Sequence, residues 1–218
     1  MPGSELWFPE PMWKDQPCYI VGGGSSLTDF PWEALRRKNV IGCNAAFYLG
    51  VKYIPIAIFG DCEFLSQHLP GLKHYADAGG WIVTPTRPKE KSIPPELKLK
   101  IMKKQVFGLG KDCLGWNGNT GASAINLALL FGANPIYLLG YDMKLSQSGE
   151  GNFHDAYSRT SSSLTYNRFL RGMKHLAKDL PKVFPGRKVI NLEDNTSVLN
   201  EFPKQSLKDH FSERMVEV

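Results

Sequence analysis

Residues 22–26 of this chain read GGGSS, directly after a short apolar run, CYIV, at residues 18–21. Gly22, Gly23 and Gly24 have no side chain, and Ser25 and Ser26 add only a hydroxyl. Such a turn lets backbone N–H groups approach a ligand closely, and a helix beginning at its end adds partial positive charge. Phosphate is the ligand this chemistry suits. The spacing is not the dinucleotide pattern, whose third glycine would fall at Leu27, and it lacks the Gly-Lys-Ser/Thr ending of a P-loop. A second stretch, GWNGNTGAS at 115–123, sets Asn119, Thr120 and Gly121 at the start of an apolar helical segment. Two small-residue helix starts on one rim describe a nucleotide site.

Titratable groups cluster in the same parts of the chain. His154 lies in a glycine-rich loop, where a neutral imidazole can take a proton from an acceptor hydroxyl. Asp155, adjacent in sequence, is a candidate to orient the ring, although neighbours in a loop often point apart. Tyr157 is the alternative base, with a poorer pKa match at neutral pH. Asp61 and Asp142 each follow an apolar run, and the pair offers carboxylates to Mg²⁺. Capping a loop is the structural alternative for Asp142. Lys144, Arg159 and Arg168 can neutralise a leaving phosphate. His68, His74, His175 and His210 fall in helical stretches or near the end of the sequence and read as surface residues.

The elements that must position these groups alternate along the sequence. Strands are expected at 18–21, 40–44, 54–60, 81–85, 135–140 and 188–191, with a further one possible in QVFGLG at 105–110. Helical patterns begin at PWEALRRK, at CEFLSQHL, at GASAINLALLFG and across 161–180. The third is apolar nearly all round and reads as internal, with Gly132 as its C-terminal cap. In the fourth, Tyr166, Phe169, Leu170, Met173, Ala177 and Leu180 share a face. The proline- and lysine-rich stretch 86–104 reads as a surface excursion. Strand and helix in alternation predict an α/β, Rossmann-like, open, mostly parallel sheet with helices on both faces, in a single domain. The expected division is a lead segment at 1–17, a catalytic nucleotide-binding domain at 18–203 and a C-terminal tail at 204–218. Ligands in such sheets bind beyond the C-terminal strand ends, which puts Gly22, Asn44, Asp61, Asp142 and the Asn119 helix start on one rim.

Composition narrows the class. The chain has 218 residues, 42% of them hydrophobic and 22% charged, as in an ordinary globular protein with one substantial core. No apolar run is long enough to span a membrane and no signal-peptide pattern opens the sequence, so a cytoplasmic location is expected. Cys18, Cys43, Cys62 and Cys113 form no C-x-x-C pair and read as reduced thiols rather than zinc ligands. The net charge of +5 suits an anionic small molecule as well as a weak polyanion surface. The basic stretch LKLKIMKKQ alternates with apolar residues and lacks stacking aromatics, so it carries no strong nucleic-acid signal.

The series VGGGSSL, IGCNAAFY and TGASAINLALLFGANPIYLLGYD resembles the bacterial sialyltransferases of glycosyltransferase family 42. Those enzymes carry a Gly-Asn-Gly-Pro-Ser-Leu turn after the first strand, a Cys-Asn ending the second, a Ser-Gly at a helix start and a strand ending in Gly-x-Asp. The series is also similar to a bacterial and phage family grouped with the archaeal 6-hydroxymethylpterin diphosphokinases, which the stretch NLEDNTSVLNEFPKQSL resembles more closely. The resemblance implies that Gly22, Gly24, Ser25 and Ser26 line a donor phosphate and that Asn44 meets the nucleotide or sugar. It matches Thr120 and Gly121 to the Ser-Gly and Asp142 to the aspartate after the strand. Asp61 stands where the sialyltransferases have an asparagine. Their long lid, with tyrosines and a catalytic histidine, corresponds here to a shorter segment holding His154 and Tyr157. Three functions follow. The favoured one is a glycosyltransferase moving a sugar from a nucleotide donor, of CMP-sugar type, to a hydroxyl acceptor. The second is an Mg-ATP diphosphokinase. The third is a non-catalytic nucleotide-binding module. None requires a permanent cofactor, and an oligomer is compatible with each.

Overall fold

The computed structural model describes residues 6–86, 94, 97–146, 149, 151–156 and 162–212. Its strands are β1 (Cys18–Val21), β2 (Asn39–Cys43), β3 (Ile56–Ile58), β4 (Trp81–Thr84), β5 (Lys100–Ile101), β6 (Lys104–Gln105), β7 (Leu114–Gly115), β8 (Ile136–Leu139), β9 (Val189–Leu192) and β10 (Lys204–Gln205). Its helices are α1 (Cys62–Asp77), α2 (Thr120–Leu130), α3 (Ser163–Val183) and α4 (Leu207–Ser212). Eight strands form one sheet in the order β10-β9-β8-β1-β2-β3-β4-β5, and every pairing is parallel. The chain therefore leaves β1 toward one edge and returns to its other side at β8. β6 and β7 pair separately.

A parallel sheet covered on both faces needs strands that are apolar at successive positions. β1 is buried at all four of its residues. Cys18 and Ile20 join Ile41, Ile58 and Leu138 beneath α2 and α3, while Tyr19 and Val21 join Val40, Leu139 and Phe211 on the opposite face. The fold is thus the expected α/β sheet. Helix α2 is buried along almost its whole length. Gly132 adopts φ +81 just past its end, where its N–H bonds Leu129 and the next N–H, of Ala133, bonds Ala128. That pair of bonds is the glycine-dependent cap expected there.

Local readings differ in three places. No α-helix follows β1; two short 3₁₀ turns, Ser25–Leu27 and Trp32–Leu35, occupy the stretch. Pro31 lacks an N–H and disfavours helical geometry at Phe30, so a helix cannot propagate through. The 86–104 excursion is only partly one. Ile101 and Met102 are buried and β5 extends the sheet, with the Lys100 ammonium 4.2 Å from the Trp81 ring and 4.8 Å from the Trp7 ring. Residues 87–93, 95 and 96 lie outside the described residues. Both ends of the expected domain are also packed into it. The Trp13 ring is 4.6 Å from Phe131, β10 pairs with β9, and His210, expected on the surface, is buried with its Nε2 3.1 Å from Tyr19 Oη. No helix among the described residues is long and apolar enough to cross a membrane.

One ion pair fastens the β9–β10 end. Glu193 Oε2 accepts from the Thr196 N–H at 2.7 Å, Oε1 lies 3.1 Å from Lys204 Nζ, and that Nζ also reaches Ser197 O at 2.9 Å. Burial pushes the Glu193 carboxyl up, but its bonds to the Ser197, Lys204 and Thr196 donors outweigh this and hold it below the usual range. Because the folded value is depressed, this stabilisation is complete above the unfolded glutamate value, about 4.3, and is lost as pH falls through the folded value. Glu193→Gln should destabilise the protein at neutral pH by about 1–2 kcal/mol. The deficit should shrink in acid; chemical unfolding at pH 7 and pH 3 measures both, and an equal deficit at the two would contradict the assignment.

Candidate functional site

Strand order reverses between β1 and β8, and a cavity of about 890 Å³ opens beyond the C-terminal ends of these strands. This is where open parallel sheets bind ligands. Gly22, Gly23, Gly24, Asn44, Asp61, Asn119, Thr120, Gly121, Asp142 and His154 all line it, together with Lys144 and Arg168. Ser25 and Ser26 are not part of the lining. Tyr157 and Arg159 lie outside the described residues.

The glycine turn has a different occupant from the one its sequence suggests. Asp142 Oδ2 accepts from the Ser26 N–H at 2.9 Å and Oδ1 from the Ser26 hydroxyl at 2.6 Å. The Gly22 N–H bonds Leu139 O and the Gly24 N–H bonds Gly140 O. The anion at this turn is therefore a carboxylate of the protein itself. Gly24 is a glycine because a Cβ there would stand 2.5 Å from Asp142 Cγ and 2.6 Å from Gly140 O. A Cβ on Gly22 would meet Gly140 O at 2.7 Å. The turn lies flat against the end of β8, and the Ser26 N–H expected to hold phosphate is already bonded. With only a three-residue 3₁₀ turn behind it, it also lacks the dipole of a full helix. Asp142 is 5% exposed, and burial raises its carboxyl above the usual range against the pull of the two Ser26 donors.

The second helix start lies in the cavity lining. Asn119 caps α2 through Oδ1, which accepts from the Ala122 N–H at 2.8 Å. Among the described residues its buried Nδ2 has no hydrogen-bond partner, and Asn119 is 6% exposed and lines the cavity. A buried donor left unmade is costly unless something bonds to it. The N–H groups of Thr120 and Gly121, in the first turn, have no carbonyl a turn behind them. Arg168 of α3 lies along Gly118, where a Cβ would be 3.3 Å from its Cγ. Gly121 lets the buried Tyr141 close in, and Tyr141 Oη donates to Gly121 O at 3.1 Å, tying α2 to the end of β8. Asn44 Oδ1, in the cavity wall, is likewise buried and has no partner among the described residues.

Loop 151–156 is pinned across the glycine turn: the Phe153 N–H donates to Gly23 O at 3.0 Å, and the Phe153 ring packs 5.1 Å from Trp32. That places His154 in the cavity wall, with Nδ1 accepting from the Ala156 N–H at 3.3 Å. Burial lowers its pKa, opposed by hydrogen bonding of the protonated ring to its own backbone and by Asp155. A second imidazole, read as a surface residue from the sequence, faces the same cavity. His68 is 7% exposed, its ring 4.3 Å from Phe64, and its Nδ1 lies 3.1 Å from Tyr48 Oη. Its helical position concealed it; the only sequence signal was its spacing from Asp61 and Phe64 along one face of α1. Trp116 was also missed. Its ring lies on Gly60, where a Cβ would sit 1.8 Å from Cζ3, and Lys104 Nζ is 4.4 Å from its centroid. Buried Asn126 holds this wall by bonding Gly110 and Gly115 N–H at 2.9 Å each.

The carboxylates expected to share Mg²⁺ both carry hydrogen bonds. Asp61 caps α1, its Oδ1 accepting from the Phe64 N–H at 2.7 Å, and Asp142 holds Ser26. Among the described residues no three His, Cys, Asp or Glu side chains are grouped to hold a metal. Cys43 also lines the cavity, but burial pushes its thiol up to about 12, unsuited to nucleophilic attack.

No family model matches the sequence, and no curated protein does. Among solved structures, the fold is similar to that of the MAf glycosyltransferase from Magnetospirillum magneticum AMB-1, with a TM-score of 0.61 at 14% identity. The similarity takes in 97% of this chain and 38% of that one, so the chain spans well under half the length of its structural neighbour.

Proposed function

We propose that this protein is a glycosyltransferase that binds a nucleotide-activated sugar in the cavity between β1, β8 and α2 and transfers the sugar to a hydroxyl acceptor. The observation that carries this reading is the α2 N-terminus. An eleven-residue helix opens into the cavity with a buried, unpartnered amide nitrogen at its cap and Arg168 beside it. That is a seat for a phosphate. The glycosyltransferase of similar fold supports the transferase class, and the resemblance to the sialyltransferases favours a CMP-sugar as donor. In this reading the diphosphate or phosphate sits on Asn119, Thr120, Gly121 and Arg168, not on the glycine turn. The turn, held by Asp142, instead shapes the floor. Asn44 Oδ1 is the acceptor group for a donor on the base or sugar.

Asp61 and Asp142 already serve as the α1 cap and the Ser26 anchor, and metal-independent binding is what the sugar-transfer reading expects. In a thermal-shift panel of CMP, CDP, UDP, GDP and ATP, a cytidine nucleotide should raise the melting temperature equally with and without Mg²⁺. Arg168→Ala should weaken that nucleotide by about 10–100-fold in calorimetry, the loss of a charge-assisted hydrogen bond. Stabilisation by ATP alone, and only with Mg²⁺, would replace the sugar-transfer reading with the kinase.

A further inference from the structure

We propose that the β6–β7 connection and α3 form a membrane-docking surface: Val106 and Phe107 insert among the headgroups of an anionic bilayer, while Arg171, Lys174, Lys178 and Lys182 lie against its charged face. The inference goes beyond sugar transfer and does not depend on it.

The connection is built rather than slack. The Asn117 N–H donates to Val106 O at 2.9 Å, Asn117 Oδ1 accepts from the Gly108 N–H at 2.7 Å, and its Nδ2 donates to Gly108 O at 2.9 Å. Gly108 adopts φ +78, and a Cβ there would run into Asp179 of α3. With its backbone so held, the loop still leaves Val106 60% and Phe107 62% exposed. A bonded loop that turns two adjacent apolar side chains to solvent presents a small apolar tip.

The tip stands beside a cationic row. The Phe107 ring is 5.7 Å from that of His175 in α3. Arg171, four residues before His175, and Lys178, three after, flank it on the helix surface, and Lys174 and Lys182 continue the row at the same spacings. All four cations are exposed, and none has an ion-pair partner among the described residues. The acids close by are already placed. Asp112 pairs with Lys103 at 3.6 Å, and Asp179, the only acid of α3, packs against Gly108.

An apolar tip joined to a lysine row favours lipid over other partners. Lysine is depleted from protein–protein interfaces, and Val106 offers a nucleic acid no stacking surface. A bilayer takes both parts: anionic headgroups attract the row, and the acyl boundary covers the tip. Asn117, bonded to Val106, stands between Trp116 and Gly118 of the cavity lining, so docking here sets the cavity beside the membrane.

Co-sedimentation of the full chain with vesicles tests this. The protein should pellet with phosphatidylcholine vesicles containing about 30% phosphatidylglycerol and not with phosphatidylcholine alone, and binding should fall steeply as salt rises from about 0.1 M to about 0.5 M. Lys174→Gln combined with Lys178→Gln should lower the partition coefficient by about 25-fold, at about fivefold for each charge. Phe107→Ser should lower it by about tenfold, from the aromatic surface left uncovered. Both variants should melt like the unsubstituted protein, since the side chains are exposed; Val106→Ser replaces Phe107→Ser if the latter melts lower. Absence of binding to the phosphatidylglycerol vesicles overturns the proposal. Binding unchanged by loss of the apolar tip overturns it too, leaving only a general attraction for polyanions. A single-stranded oligonucleotide that binds where the vesicles do not would give the surface to nucleic acid instead.

Discussion

His154→Ala should lower turnover by about 10²–10³-fold, the usual cost of removing one donor aimed at charge that develops in the transition state. Under the proposed sugar transfer, with Nδ1 engaged by the Ala156 N–H, the role expected of the ring is an Nε2–H donor to the leaving phosphate. Binding of the bare nucleotide should change far less than turnover, because that charge grows only as the sugar departs. His154→Gln separates the two roles open to this residue. A glutamine amide still donates a hydrogen bond but cannot accept a proton. Recovery of about tenfold over alanine is therefore expected for a donor, in line with one ordinary hydrogen bond. If glutamine is no better than alanine, and the rate falls in acid with an apparent pKa that vanishes in His154→Ala, then His154 is the base after all.

Gly24→Val should unfold part of the protein's architecture rather than simply block a ligand. The new Cβ would lie within 2.6 Å of the Asp142 carboxylate and of Gly140 O. The first can move only by breaking its two bonds to Ser26, and the second is backbone at the end of a central strand. Overpacking alone costs about 1–3 kcal/mol, and loss of a charge-assisted hydrogen bond adds about 1.5–3 kcal/mol. A large drop in melting temperature is expected. Gly23→Ala is the control, since its Cβ would meet only the tip of the Asn152 side chain, which can rotate away. A Gly24→Val protein that melts like the unsubstituted one, yet has lost nucleotide binding, would return the turn to the role of a phosphate loop.

The strands and long helices were legible because their signals are local. CYIV, IPIAIFG and PIYLLG are continuous apolar runs, and GASAINLALLFG is an apolar helix closed by a glycine. Each element's period is set by its own backbone geometry, whatever it packs against. The parallel sheet, the rim at its strand ends and the presence there of Gly22, Asn44, Asp61, Asn119 and Asp142 follow from that pattern and from chain order. Pro31 is a local signal too, and its veto on a helix after β1 is written in the sequence.

What a side chain bonds to is another matter, since partners distant in sequence leave no local mark. Ser26 and Asp142 are 116 residues apart, and only their meeting turns an expected phosphate loop into a loop already holding a carboxylate. His68 and His210 carry no pattern that separates a surface histidine from a buried one, because helical position alone does not say what lies over it. His68 gained its place when α1 packed against the Phe47–Tyr48 turn, and His210 when α4 closed over Tyr19. Asn119 shows both halves: its cap of α2 is written in the sequence, while the burial of its other amide atom without a partner is decided by the tertiary packing around the cavity.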